Sequence, residues 1–404
     1  MDPRADRQLI RAINRTHVFQ LIREDGPISR AGIARTTGLT QVTVSTIINE
    51  LMAHGLVGEG DQAASTGGRR ATLVHLIPRS YFAVGAKVME QHIVGAVTDL
   101  AGKPIAEADV PLDDQRTSPD EVVAGLDRLV NSLVVSAGVP RARLLGLGIG
   151  MAGVVDGRSG VCRYSQFLGW HNVPIADLAS RRLGIPVLVE NDVNTLALAE
   201  RWFGVGQDVS DFLLVTIGRG VGLGIVAEGR LYRGGRGGAG EFGHTVVDGN
   251  DTPCVCGNIG CLEATVAEPA LINAARAILG TPGHPTDANE LYQQLRDTPA
   301  LRPIFYDAGK MLGRALANLV NLLAPTMVIL SGEGIEAGDA LLDPLRQELD
   351  AKVFDGLRDS FQLVVEPLPD AAWARGAASL VLGEVFDLPT NSQADLLWSR
   401  ENVS

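Results

Sequence analysis

The sequence predicts a mixed α/β protein in two parts, a small helical unit ending in a β-hairpin and a larger body of two sheet-and-helix lobes. Two patterns and one asymmetry lead to this. Apolar residues recur at helical spacing up to Gly55 and then give way to two short β-like runs. From Tyr81 onward, buried-strand segments alternate with helical ones, as in lobes built from a sheet covered by helices. Charge is the asymmetry. Residues 1 to 79 hold ten Arg and no Lys against seven Asp plus Glu, a net +3, whereas the rest holds 25 basic and 40 acidic side chains, a net −15 within the total of −12. An acidic body is repelled by polyanions, so only the basic front is suited to approach phosphates. The expected domains are 1–79, 80–200 and 201–404, with a C-terminal helix returning to the first lobe.

The front unit is expected to hold three helices. "RQLIRAINRTHVFQLIRED" places Ile10, Ile13, Val18, Leu21 and Ile22 in a stripe, and "DGP" ends it. Ser29 caps the short helix "RAGIARTTGL", which Gly38 closes. Thr40 caps the third helix, "QVTVSTIINELMAHG", whose Val44, Ile47, Ile48 and Leu51 point inward. The opposite side offers Gln41, Thr43, Ser45, Thr46 and Asn49, side chains able to hydrogen-bond base edges or phosphates. "LVGEGDQAASTGGRRATLVHL" then reads as two strands joined by a polar loop carrying Arg69 and Arg70. The whole resembles the winged helix-turn-helix of bacterial repressors, which implies operator DNA as a partner. Residues 40 to 54 contain no Arg or Lys, so phosphate contacts are assigned to Arg30, Arg35, Arg69 and Arg70.

In the body, "YFAVGAKV", "HIVGAVTDL", "LLGLGIGMAG", "IPVLVENDVN", "DFLLVTIGRGVGLGIVAEG" and "TMVILSG" read as strands. "SPDEVVAGLDRLVNSLVVSAG" and "NTLALAERWFG" read as helices between them. The longest apolar run, "LVNLLAPTMVIL", is too short for a bilayer and is interrupted by Asn and Pro, and "MDPRADRQLIRAINRTH" has no apolar signal core. Four cysteines are too few to staple 404 residues. Reduced thiols in a soluble, cytoplasmic protein with no membrane partner are expected.

"GGRGGAGEFGH" followed by "CVCGNIGCLE", with "GWHNVPIADLASRRLGIPVLVENDVN" and "VTIGRGVGLGIV", resembles the ROK family of repressors, open reading frames and sugar kinases. That resemblance implies an actin- or hexokinase-like two-lobed body. With the winged unit in front, it implies a sugar-responsive transcriptional regulator, a repressor of carbohydrate genes working as a homodimer or homotetramer.

Cys254, Cys256 and Cys261 are poorly placed for local disulfides, because a C-x-C pair is strained and one thiol would be left over. Three thiolates and one imidazole complete a tetrahedral zinc site, and Gly257 and Gly260 allow the tight turn that aims Cys256 and Cys261 at one ion. The resemblance makes His244 the fourth ligand. Four protein ligands leave no place for water, so one structural zinc per chain is expected.

The resemblance further implies that Asn191, Asp192, Glu241, His244 and Glu263 contact the hydroxyls of a sugar or sugar-phosphate effector in a zinc-braced cleft between the lobes. Carboxylates and amides suit vicinal hydroxyls, each both donor and acceptor. Glucose, xylose, an N-acetylated hexosamine, a sugar phosphate and a short oligosaccharide all present such groups. Asp192 also falls where kinases of the family keep their base, so a sugar kinase is the first alternative. A zinc-braced regulator controlled by a protein partner is the second. Family kinases carry a D-x-G-G-T phosphate turn on the first strand, whereas this chain reads Lys87, Val88, Met89, Glu90 and Gln91 there. Arg219 stands where a small hydroxyl residue is usual in the second turn, and a later glycine turn reads "SGEG". No catalytic role is therefore expected for Asp192.

Overall fold

A computed structural model describes residues 3–62, 71–112, 118–247, 249–280, 285–367 and 370–386. Arg69 and Arg70 lie outside the described residues. The chain divides into two compact units, one comprising Met1–Gly153, Gly157–Glu190 and Trp373–Ser404, the other Val154–Asp156 and Asn191–Ala372.

The first unit opens with α1 (Pro3–Asp25), β1 (Ile28–Ser29), α2 (Arg30–Thr37), α3 (Gln41–Ala53), β2 (Val57–Gln62) and β3 (Thr72–Leu76). The three strands form an antiparallel sheet in the order β1-β3-β2, so the front holds three helices and a small sheet, as the sequence leads one to expect. Local chemistry sets the helix starts. The Ser29 hydroxyl accepts the Gly32 N–H at 3.0 Å, the Thr40 hydroxyl accepts the Thr43 N–H at 3.2 Å, and Gly38 ends α2 at φ 71°. Val44, Ile47, Ile48 and Leu51 of α3 are buried with Val18, Phe19, Leu21 and Ile22 of α1.

The stripe expected on α1 holds only in its second half, since Ile10 and Ile13 are 56% and 36% exposed. One and two turns before Val18, the helix face toward α3 carries Arg15 and Arg11, which bind Glu50 of α3 at 3.1 and 2.9 Å. Burial raises the Glu50 carboxyl, but the two guanidinium hydrogen bonds outweigh it and hold it below its usual range.

The same unit continues with β4 (Phe82–Val88), β5 (His92–Asp99), β6 (Pro104–Pro111), α4 (Pro119–Ala137), β7 (Leu144–Met151), β8 (Val154–Asp156), β9 (Val161–Ser165), β10 (Trp170–Val173), α5 (Ile175–Leu183) and β11 (Val187–Asn191). Its sheet runs β11-β7-β4-β5-β6, with β4 parallel to β7 and antiparallel to β5. β8 and the last residue of β11 belong to the second unit.

The second unit holds α6 (Asp192–Phe203), β12 (Phe212–Ile217), β13 (Val221–Ala227), β14 (Arg230–Leu231), α7 (Glu263–Val266), α8 (Glu268–Leu279), α9 (Ala288–Asp297), α10 (Arg302–Leu323), β15 (Met327–Ser331), α11 (Asp339–Lys352) and β16 (Gln362–Val365). A β14-β13-β12-β15-β16 sheet packs its Val215, Leu330 and Val328 against Leu312, Leu316 and Leu345 in one core. The last helix, α12 (Asp370–Phe386), returns from Trp373 onward to the first unit. Gly85 of β4 and Gly148 of β7 admit it, because a Cβ at either would run into the Ala374 or Ala377 carbonyl. Phe386 then stacks on Phe19 of α1 at 4.5 Å between ring centroids, tying the winged domain to α12. Among the described residues, no helix is long and apolar enough to cross a membrane.

One buried carboxyl gives the second unit a pH signature. Glu268 starts α8 and accepts the Tyr292 hydroxyl at 2.9 Å. Burial pushes its pKa from the ordinary 4.5 up to about 7, opposed by that hydroxyl and helped by the charges of Glu333 and Glu336. The unfolded chain gives up this proton at the ordinary value while the folded chain keeps it to about 7, so stability falls as pH rises between them and is flat above. Urea denaturation from pH 4 to 8 should show that fall. Glu268→Gln, which still accepts from Tyr292, should lessen it, and an unchanged slope would refute the assignment.

Candidate functional site

A short loop brings His244 and three cysteines together in the second unit. The 3-10 turn Phe242–His244 is followed by a segment running alongside Cys261, with Val246 bridged to Cys261 and Pro253 to Ile259. Backbone hydrogen bonds from Leu262 to Thr245 and from Val247 to Gly260, both 2.9 Å, fix this pairing. Cys254 donates its N–H to the Asn258 carbonyl at 2.8 Å, closing the turn around Cys256. Gly257 at φ 92° and Gly260 at φ 86° occupy conformations that L side chains rarely adopt. A residue absent from the sequence reading, Asn250, braces the loop from inside. Its buried amide donates to the Cys261 carbonyl at 2.8 Å, and its oxygen accepts the Thr252 N–H at 3.1 Å.

The donor atoms of His244, Cys254, Cys256 and Cys261 all lie within 4.8 Å of one another. Cys254 Sγ is 3.6 Å from His244 Nδ1, and Cys256 Sγ is 3.6 Å from Cys261 Sγ. A disulfide requires roughly 2.05 Å, whereas two thiolates sharing a tetrahedral zinc at about 2.3 Å stand roughly 3.8 Å apart. All four cysteines are free. Burial pushes the Cys254 and Cys261 thiols up, the latter to about 12, while the Asn258 backbone hydrogen bond lowers Cys256. Thiols so close cannot all ionise unless a cation compensates them, which is the chemistry of a metal site. The cluster can hold a metal ion with four protein donors.

Carboxylates adjoin it. Glu263 follows Cys261 by two residues, opens α7 and accepts the Val221 N–H at 3.0 Å through Oε2. That oxygen rests against Gly220, where an added Cβ would come within 2.8 Å. Glu241 precedes His244 by three residues. Although it is exposed, the protein around its carboxyl raises its pKa, the His244 charge lowers it, and the charges of Glu263 and Asp192 raise it again. The charges of Asp192, His244 and Glu263 thus all act on the Glu241 carboxyl. Asn191 adjoins Asp192 at the start of α6, its side-chain oxygen accepting the Asn194 N–H at 3.1 Å. Acceptor carboxylates, an amide and an imidazole are the groups that bind vicinal hydroxyls. With Nδ1 toward the thiols, the ring nitrogen of His244 left for a hydroxyl is Nε2.

On the winged domain, Arg35 and Gln41 are exposed. Ser45 is half-buried, the Thr43 hydroxyl meets that of Thr40 at 2.9 Å, and the Thr46 hydroxyl donates to the Val42 carbonyl at 2.9 Å. Arg30 differs from the expectation. Its guanidinium donates to Glu59 at 2.7 Å, to Asn49 at 3.0 Å and to the Ser45 carbonyl at 3.4 Å, clasping α2 to α3 and the hairpin. It is built into the domain rather than offered to phosphate.

Lys87 to Gln91 span the end of β4 and the turn into β5. Met89 donates its N–H to the His92 carbonyl at 3.0 Å, and Lys87 Nζ stands 3.4 Å from the centre of the Trp373 ring. The second glycine turn, Gly218 to Gly220, joins β12 to β13, and a Cβ at Gly218 would strike the Glu333 carboxylate.

A profile of the ROK family matches residues 84–384, and the chain belongs to that family. It is 32% identical over 384 residues to the DNA-binding transcriptional dual regulator NagC of Escherichia coli K12, covering 92% of this chain and 93% of NagC. It is 28% identical over 394 residues to the xylose repressor of Caldicellulosiruptor bescii, covering 94% and 98%. The crystal structure of a ROK family transcriptional regulator, a homologue of the E. coli MLC protein, superposes with a TM-score of 0.82 at 26% identity over 92% of this chain and 96% of the other. A ROK family glucokinase from Streptomyces griseus, in complex with glucose and AMPPNP, superposes with a TM-score of 0.63 at 28% identity, covering 74% of this chain and 98% of the kinase. The regulators thus match front unit and body together.

Proposed function

We propose that this chain is a sugar-responsive transcriptional repressor of carbohydrate genes. In this reading α3 enters the major groove of an operator and Arg35, Arg69 and Arg70 meet phosphates. Asn191, Asp192, Glu241, His244 and Glu263 hold a sugar or sugar-phosphate effector. One zinc on His244, Cys254, Cys256 and Cys261 braces that site, and two chains of a homodimer or homotetramer read paired half-sites in the cytoplasm. What supports the reading is a chain that aligns with transcriptional regulators over 92–94% of its length and in which a four-donor His and Cys cluster is flanked by carboxylates whose charges act on one another. Zinc needs no part in a reaction here; it fixes the backbone from which His244 and Glu263 project.

Phosphoryl transfer requires a backbone cradle for the nucleotide phosphates. In this chain Met89 occupies the first turn, and the Glu333 carboxylate lies against Gly218 in the second, where it would repel a phosphate. The sugar-kinase reading is therefore disfavoured despite Asp192. Two measurements on the full-length protein test the proposal. Selection from random duplexes should return one operator. A thermal-shift panel of sugars and sugar phosphates should then reveal the effector, since a ligand at 100 times its dissociation constant adds about 2.7 kcal/mol of stability. A protein that selects no DNA and responds to no sugar would refute it.

A further inference from the structure

The exposed stripe of α3 is led by an apolar side chain. Val44, Ile47, Ile48 and Leu51 repeat at i, i+3, i+4 and i+7 and are buried, so the face opposite them carries Val42, Ser45, Thr46 and Asn49 at the same spacing. Val42 is 77% exposed, in the first turn of the helix. The polar members of the stripe are partly engaged already. Thr46 gives its hydroxyl to the Val42 carbonyl at 2.9 Å, and the Asn49 side-chain oxygen accepts Arg30 at 3.0 Å. α3 carries no cation that could take the two acceptors of guanine. An isopropyl group so exposed has one partner in a major groove that distinguishes one base from the others, the 5-methyl group of thymine.

We infer that Val42 is a specificity-determining residue that reads a thymine methyl in each operator half-site. The inference rests on the operator-binding reading and names what its helix recognises. Sequence choice is then made through shape and apolar contact in the centre of the stripe, with Gln41 at its edge placed for an adenine.

The test uses the full-length protein and duplexes selected by it from a random pool. Each thymine of the selected half-site is replaced singly by uracil, which removes only the methyl group. At one position per half-site the wild type should lose about fourfold in affinity, the size expected for one buried methyl group. Val42→Ala should bind the thymine and uracil duplexes equally at that position and keep its responses elsewhere. Because Val42 is exposed, the variant should retain the wild-type unfolding curve. A selected operator with no uracil-sensitive position, or with a penalty that persists in Val42→Ala, would overturn the inference while leaving operator binding standing. Failure to select any sequence would remove both.

Discussion

Cys261→Ser should strip the protein of its metal, lowering the zinc content from about one per chain to near zero and loosening the loop from His244 to Glu263. Cys261 is fully buried, its carbonyl is held by Asn250, and its thiol lies 3.6 Å from that of Cys256. A serine hydroxyl in its place is a poor zinc donor and adds a buried polar group that needs a partner. Because the free energy of binding a structural metal is also free energy of folding, the variant should unfold at lower temperature. Sugar affinity should fall with it, by at least about tenfold, a loss of the size seen when the groups that orient metal ligands are removed. Two neighbours of Cys261 explain the link. His244 would serve metal and sugar through its two ring nitrogens, and Glu263 is set by the chain only two residues on. Cys162→Ser supplies the control, since that cysteine is equally buried but lies outside the cluster. Zinc analysis, thermal unfolding and sugar titration of the three proteins check this. Unchanged zinc content in Cys261→Ser, or equal losses in Cys162→Ser, would refute the site.

What was legible in the sequence was local. Ser29 and Thr40 cap their helices through atoms three residues away, and Gly38 turns the chain by itself, so no distant contact had to be known. The metal loop was readable for the same reason, since Cys254 to Cys261 is one turn and only His244 had to be brought in. Misreadings arose where partners were remote. Arg30 looked like an exposed cation beside a helix cap, but Glu59 and Asn49, 29 and 19 positions on, absorb it. Ile10 and Ile13 fitted a helical stripe, yet Glu50, 39 and 35 positions from Arg11 and Arg15, selects a different face of α1. Asn250 gave no signal because an asparagine in a polar loop is commonplace, and its role depends on a carbonyl eleven residues away.

Asp192→Asn should weaken sugar binding and blunt the response to the effector while leaving sugar-free operator binding intact. Asp192 stands at the start of α6 in the second unit, whereas α3 belongs to the first, so the substitution lies outside the elements proposed to meet DNA. Converting one carboxylate oxygen to an amide would put a donor where the proposed site offers a sugar hydroxyl an acceptor, and a hydroxyl left facing a donor is unsatisfied. The wild-type effector can act on DNA binding only through a difference in its affinity for two states of the protein. A coupling of about 1–3 kcal/mol corresponds to roughly 5–150-fold in operator affinity, with release from the operator as the expected sign. Linkage requires the operator to weaken effector binding by the same factor, so titrations of sugar with and without DNA provide an internal check. In Asp192→Asn both shifts should shrink together. The same variant separates regulator from enzyme. With ATP, magnesium and the effector sugar, the wild type should form no sugar phosphate above background, because Met89 stands in the first phosphate turn and Glu333 lies against the second. Multiple turnovers by the wild type that disappear in Asp192→Asn would make that residue a catalytic base and the chain a kinase with a DNA-binding domain.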